Sequence, residues 1–130
     1  MNKEFFIDLA NKLEGYKTRL KELHWASPSH SLHVITDDFS EELGNFEDAL
    51  IENAIAITDF IFPGELNPIL PEAKDFVTYL EDLRGVLVSI KREAGDSIMY
   101  SGIINRVDDF FEVVNKYIYL AKLTRHDAAK

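Results

Sequence analysis

The apolar residues of this chain recur every three or four positions in four long stretches, which is the spacing of amphipathic helices. The longest regular run lies in the second stretch. Its members are Leu32, Ile35, Phe39, Leu43, Phe46, Leu50, Ala54, Ile57 and Ile61. No stretch of useful length alternates apolar and polar residues as a half-buried strand would. The pattern therefore predicts an all-α chain.

Helix-breaking residues between the stretches set the boundaries of the four predicted helices. These helices are 3–24, 29 or 31 to 62, 72–94 and 97–123. Pro28 interrupts the chain after the first helix, and Pro63 with Gly64 ends the second, because proline cannot continue a helix and glycine favours its end. Gly95 is a stop signal between the third helix and the fourth.

Four amphipathic helices of this length bury their apolar stripes against one another as a four-helix bundle. We expect one domain over residues 1–124, followed by a polar tail at 125–130. The predicted connection between the second and third helices, 62–71, reaches at most about 35 Å, which is also about the length of the third helix. A crossover along the bundle barely fits, so a simple up-down-up-down arrangement stays open.

Composition narrows the class of protein. The chain has 130 residues, of which 46% are hydrophobic, so it can bury one sizeable core and is not a disordered chain. It has no apolar run of about 18 residues, so we expect no membrane span. It has no cysteine, which excludes disulfide scaffolds, thiolate metal sites and cysteine catalysis, and fits a cytoplasmic protein.

The negative charge is concentrated in the middle of the chain. The net charge is −9, yet residues 22–73 contain no Lys or Arg at all, while they hold eleven acidic residues and three of the four histidines. Such a segment repels nucleic acid and attracts a multivalent cation. The charge alone favours a simpler interpretation, an acidic solvated face that aids solubility.

Two pairs of polar residues lie on the face of the second predicted helix that points away from its core stripe. His33 and Asp37 are four residues apart, so they share one face. Asp48 and Glu52 form a second such pair, about 22 Å further along the helix axis. One chain cannot bring both pairs to one ion. An antiparallel second copy could, and a two-fold axis near position 43 would then create two equivalent sites per dimer.

His24 adds a further candidate ligand, because a short loop joins the end of the first helix to the start of the second. Nitrogen and carboxylate donors without sulfur suit Fe(II), Mn(II) or Zn(II). Each pair taken alone is typical of a solvated or ion-paired surface. Their joint spacing and the missing basic residues favour a metal site, in which His30 could take the place of one of the other two histidines.

These motifs resemble the Dps family of mini-ferritins, which are ferritin-like proteins that protect DNA from iron and peroxide. The resemblance lies in Leu23-His24-Trp25, Leu32-His33-Val-Ile-Thr-Asp37 and Asp48-Ala-Leu-Ile-Glu52-Asn-Ala. The closing segment 117–123 is also similar. In that family, such residues build a ferroxidase site between two subunits, on a ferritin-like four-helix bundle.

The resemblance implies a metal site and a mechanism. The implied ligands are His24, His33, Asp37, Asp48 and Glu52, the last two from the partner subunit. Trp25 would lie near the iron as an electron donor, or would serve only in packing. Fe(II), with Zn or Mn as alternatives, would bind at a homodimer interface, and peroxide or dioxygen would oxidise the iron. Fe(III) mineral would collect inside a larger shell.

Other functions stay open beside the ferroxidase. The chain lacks the Lys-rich N-terminal arm that some family members use on DNA, so we expect no DNA binding. The same scaffold could be a dimeric structural or binding protein without a functional metal site. It could also be a helical adaptor that binds a partner helix through Ile51, Ile55 and Phe62. No Glu-x-x-His motif, phosphate-binding loop or nucleophile motif occurs in the sequence.

Overall fold

The computed structural model describes the backbone of residues 1–129 and the side chains of residues 1–124. Over this part of the chain the protein is a bundle of four helices without strands, which confirms the all-α prediction. The helices are α1 (Lys3–Trp25), α2 (His30–Thr58), α3 (Phe76–Ala94) and α4 (Ser101–Ala129), with a single 3₁₀ turn at Ile98–Tyr100 before α4. No helix within the described residues is long and apolar enough to cross a membrane.

A polar side chain caps the start of each of the first three helices. The side chain of Asn2 accepts a hydrogen bond from the backbone N–H of Phe5, and Ser29 caps α2 in the same way. Asp75 caps α3 by accepting from the N–H of Val77. This cap places the start of α3 at Phe76, four residues after the predicted start, so the prediction from the preceding proline was wrong.

The two longest helices end at residues that periodicity does not predict. Asp59 adopts a left-handed conformation with φ of 51°, and its N–H bonds to the carbonyl of Ile55 at 2.9 Å, which closes the last turn of α2. The predicted end at Phe62 was therefore wrong, and Ile61 is 93% exposed. Near the C-terminus of the chain, α4 continues to Ala129 instead of ending at the predicted Leu123. The side chains of the predicted polar tail, 125–130, lie outside the described residues.

The chain between α2 and α3 runs along the side of α1. The backbone N–H groups of Asn67 and Ile69 both bond to Asn11, one to its side chain at 2.8 Å and one to its carbonyl at 3.1 Å. Two residues further on, the carbonyl of Pro71 accepts two hydrogen bonds from the Arg19 guanidinium, at 2.9 and 3.1 Å. The connection therefore passes from the N-terminal half of α1 towards its C-terminal end.

This path makes the connection a crossover. Because α2 and α3 are both shorter than predicted, the connection comprises residues 59–75 and has ample reach to cross the bundle. It delivers α3 to the end of the bundle where α2 begins, so α2 and α3 run in the same direction. At the opposite end, the Tyr100 hydroxyl donates to the carbonyl of Met1 at 3.0 Å, which ties the start of α4 to the start of α1. The up-down-up-down arrangement is thereby excluded.

Aromatic rings fill the centre of the bundle. Phe46 of α2 stacks on Phe110 of α4 with ring centroids 4.1 Å apart, and Phe39, two turns earlier in α2, stacks on the same ring with centroids 5.8 Å apart. Tyr79 is fully buried, and its hydroxyl donates to the carbonyl of Tyr16 at 2.8 Å. Phe39 and Phe46 belong to the predicted apolar stripe of the second helix, which confirms its core from Phe39 to Leu50.

At Gly15 the backbone of the crossover lies directly against α1. A Cβ atom there would lie 1.8 Å from the Ile69 carbonyl oxygen and 2.3 Å from its carbon, and this neighbour is backbone that cannot simply rotate away. We expect Gly15→Ala to lower the free energy of unfolding by about 1–3 kcal/mol, as overpacking does. Urea denaturation at constant temperature measures this loss.

Gly85→Ala is the matched control, because Gly85 is exposed within α3 and an added Cβ would meet nothing within 4 Å. This change should be neutral or raise the free energy of unfolding by about 0.5–1 kcal/mol, since alanine favours helix. If Gly15→Ala proves as stable as Gly85→Ala, the crossover does not lie against α1 as described.

Candidate metal centre

The end of α1 and the first turn of α2 bring two histidines into direct contact. The imidazole rings of His24 and His33 stack with centroids 3.9 Å apart and planes inclined by 26°. The short loop between the helices therefore lets His24 reach the end of α2 that carries His33, as its length predicts. His30 is exposed at the first residue of α2 and takes no part in this stack.

His24 and Asp37 line one pocket between α1 and α2. The residues of this histidine pocket are Leu20, Lys21, His24, Trp25, Thr36, Asp37 and Ser40. Asp37 is exposed at its rim. Trp25 is 76% exposed, so the packing role that the sequence left open for it is not filled within this chain. Lys21 is the last basic residue before the acidic segment, and it lies at this same pocket.

Asp48 and Glu52 lie at a second pocket further along the same two helices. This acidic pocket is lined by Ala10, Glu14, Glu47, Asp48, Ile51, Glu52, Phe62 and Leu66, so α1, α2 and the crossover all contribute. Among the side chains of residues 1–124, no three His, Asp, Glu or Cys groups come close enough together to hold a metal ion. The two pairs thus remain apart within one chain, as their separation along α2 requires.

Glu47 is a buried carboxylate at the acidic pocket. Its side chain is 8% exposed, and its Oε1 accepts from the Lys17 ammonium at 3.1 Å, while Lys17 also donates to Glu14 at 3.2 Å. Its Oε2 is buried without a hydrogen-bond donor in the described part of the chain. Lys17 thus links the carboxyl groups of Glu14 and Glu47. When both carboxyl groups are ionised, the single positive charge of Lys17 balances only one of them.

This arrangement changes how Glu47 and Lys17 titrate. Burial raises the pKa of Glu47 from its ordinary value of 4.5 to about 7; the hydrogen bond from Lys17 opposes the shift, and the neighbouring Glu14 carboxyl adds to it. For Lys17, burial acts to lower the pKa, but the hydrogen bonds to Glu47 and Glu14 outweigh it and raise the pKa. Near neutral pH, Glu47 therefore changes charge.

Periodicity alone does not single out Thr36 and Glu47, the two polar residues that α2 buries. A helical wheel does hold a signal. With Leu32 at 0°, Thr36 lies at about 40° and Glu47 at about 60°, both on the edge of the apolar stripe and not on the solvated face. A polar residue at such a position must find a partner, and the partners lie on α1: His24 for Thr36 and Lys17 for Glu47.

No family model matches the chain, and no curated protein or solved structure matches it either. The likeness to the mini-ferritins therefore stays a prediction, which rests on the residues from Leu23 to Ala54 and on their spacing. The geometry adds two observations that the spacing did not contain, namely the stacked histidines and the buried Glu47.

The raised pKa of Glu47 gives a pH dependence with a definite sign. The folded protein holds a proton on Glu47 at pH values where the unfolded chain has lost it, so this contribution to stability is complete below about pH 4.5 and disappears as the pH rises through about 7. We expect Glu47→Gln, which stays neutral, to remove this loss. Its free energy of unfolding should rise relative to that of the unmodified protein between about pH 5 and about pH 7 and then stay level relative to it, as measured by urea denaturation.

Glu93→Gln serves as the control, because Glu93 is exposed on α3. This variant and the unmodified protein should show parallel profiles of stability against pH. A parallel profile for Glu47→Gln as well would mean that Glu47 titrates alike in the folded and unfolded chains, contrary to its burial.

Proposed function

We propose that two copies of this chain associate through α2 and bind Fe(II) between them, as a divergent member of the Dps-like ferritin family that oxidises and detoxifies iron. The observation that carries the proposal is the presence of two complementary half-sites on the α1–α2 side of the bundle. The histidine pocket offers His24 and Asp37, with His33 stacked on His24 beside it, and the acidic pocket offers Asp48 and Glu52.

The positions of the half-sites on α2 fit a two-fold axis. Residue 33 with residue 52, and residue 37 with residue 48, share one midpoint between Glu42 and Leu43. An antiparallel copy of α2 centred there would bring both pairs into register at once. Gly44 lies next to this midpoint, and a Cβ atom there would meet nothing within 4 Å, so the surface is open to a partner backbone.

The fold and the charge pattern support the same proposal. Four-helix bundles with one long crossover connection are the architecture of ferritin-like proteins. The residues of α2 include no Lys or Arg, so facing carboxylates from two copies would repel one another unless a cation lay between them. A divalent cation would remove this repulsion, which links association to metal binding.

The chemistry expected at such a site is the oxidation of iron as substrate. Each Fe(II) would give up one electron; two such electrons with two protons convert one peroxide to two waters, and four with four protons convert dioxygen to two waters. Carboxylate oxygens would stabilise the higher charge of the Fe(III) product. Imidazole nitrogens suit the ferrous ion, and Zn(II) or Mn(II) would fit the same donors. Trp25 lines the histidine pocket and is exposed there, so it would be a candidate donor of an electron to the oxidant, and ferric mineral would collect within a larger assembly.

Mixing two inactive variants tests whether one site draws on two chains. We expect His33→Ala and Asp48→Ala each to abolish the oxidation of Fe(II) by peroxide, followed as ferric absorbance. If the two variants are refolded together in equal amounts, half of the dimers are mixed, and each mixed dimer has one intact site. The mixture should recover about a quarter of the activity.

The control pairs two defects within one half-site. His33→Ala refolded with Asp37→Ala leaves every site defective, so no activity should return. Recovery in this control, or none in the mixture of His33→Ala and Asp48→Ala, would contradict a site shared between antiparallel copies.

A non-catalytic dimer is the second candidate, and exposed apolar side chains favour it. Trp25, Val34, Leu66 and Ile69 all lie exposed on α1, α2 or the crossover, where they could hold two copies together without metal. A non-catalytic dimer should have the same molar mass by sedimentation with and without a chelator, and it should not oxidise Fe(II). Loss of the dimer on chelation would contradict it.

A further inference from the structure

Thr36 lies at the centre of a hydrogen-bond arrangement that reaches the histidine pocket. Its side chain is fully buried, and its Oγ1 is 2.9 Å from the Nδ1 atom of His24. The same Oγ1 is 2.9 Å from the carbonyl oxygen of Leu32 and 3.0 Å from that of His33, the residues four and three positions earlier in α2. Three potential partners thus surround one hydroxyl.

The directions of these hydrogen bonds follow from counting protons. A threonine hydroxyl has one proton, and the two carbonyl oxygens can only accept, so the proton goes to the carbonyl side as is usual for threonine within a helix. The reverse direction, donation to His24, would press hydroxyl lone pairs against two carbonyl oxygens at 2.9–3.0 Å. His24 Nδ1 must therefore be the donor, and it must carry a proton.

We infer that Thr36 is a positioning residue, which holds neutral His24 in the tautomer protonated at Nδ1 and leaves the lone pair of Nε2 free to bind a metal ion. The metal-binding part of this inference rests on the proposed function. The tautomer itself does not, because it follows from the contacts within one chain.

This role has a clear physical benefit for a metal site. Neutral imidazole binds a metal through the nitrogen without a proton, and the hydrogen bond made by the other nitrogen decides which one that is. Thr36 would thus select Nε2, while the stacked ring of His33 at 3.9 Å limits rotation of the His24 plane. A metal ligand that already has the right orientation and tautomer loses less entropy on binding than an imidazole that must first rotate and exchange its proton.

The tautomer of His24 in the metal-free protein decides the inference. Imidazole ¹⁵N spectra at a pH where His24 is neutral should show the Nδ1–H form as the dominant species in the unmodified protein. Thr36→Ser, which keeps the hydroxyl, should retain it, whereas Thr36→Val, which has the same shape without the hydroxyl, should lose it. A dominant Nε2–H form in the unmodified protein would overturn the inference.

Metal affinity gives a second readout, with Co(II) as the probe because its absorption reports nitrogen and oxygen ligands. We expect Thr36→Val to weaken binding by about 10- to 100-fold, the usual cost of losing an outer hydrogen bond of a ligand, and Thr36→Ser to restore it. Thr58→Val is the matched control, since the Thr58 hydroxyl also donates to the carbonyl four residues earlier, at 2.7 Å, and the hydrogen bonds described include none from Thr58 to a histidine.

The outcomes separate the inference from the proposed function. If the unmodified protein binds no Co(II) but His24 is in the Nδ1–H form, the proposed function fails and the positioning by Thr36 stands. If Thr36→Val binds Co(II) as tightly as Thr58→Val does, the role of Thr36 in metal binding is contradicted.

Discussion

The contact between the crossover and Gly15 is the constraint on which the order of the four helices depends. Backbone atoms of Ile69 occupy the space where a side chain on α1 would begin, and Asn11 and Arg19 hold the chain on either side of that point. With the chain held there, α3 starts beside the beginning of α2. The same chain also supplies Phe62 and Leu66 to the acidic pocket, so the path that orders the helices also shapes a candidate half-site.

The second organising feature is the pairing of the two polar side chains that α2 buries, Thr36 and Glu47, with partners on α1. Burying a hydroxyl or a carboxylate is costly unless a partner is provided. Both partners come from α1, so the α1–α2 pair is held by specific hydrogen bonds in addition to apolar contact. Glu47 is only partly compensated, because one of its oxygens has no donor in the described part of the chain.

The sequence predicted the helices and the separation of the two half-sites, but not where the chain leaves α2. Ile61 continues the apolar spacing perfectly, yet the left-handed turn at Asp59 has already ended the helix, and spacing carries no information about a single backbone angle. Pro71 predicts a helix start at residue 72, but its carbonyl accepts from Arg19 of α1 and α3 begins only at Phe76. Local patterns carry no information about such long-range contacts, which is why the sequence alone leaves the crossover open.

Trp25 is the single tryptophan of the chain, and it is largely surrounded by solvent beside the histidine pocket. Its indole is therefore the one strongly fluorescent group of the molecule, and no second tryptophan contributes to the emission. The emission of an indole shifts to shorter wavelengths when water leaves its surroundings, and paramagnetic ions nearby quench it. The molecule thus carries its own optical reporter at the surface where the proposed second copy and the proposed iron ion would bind.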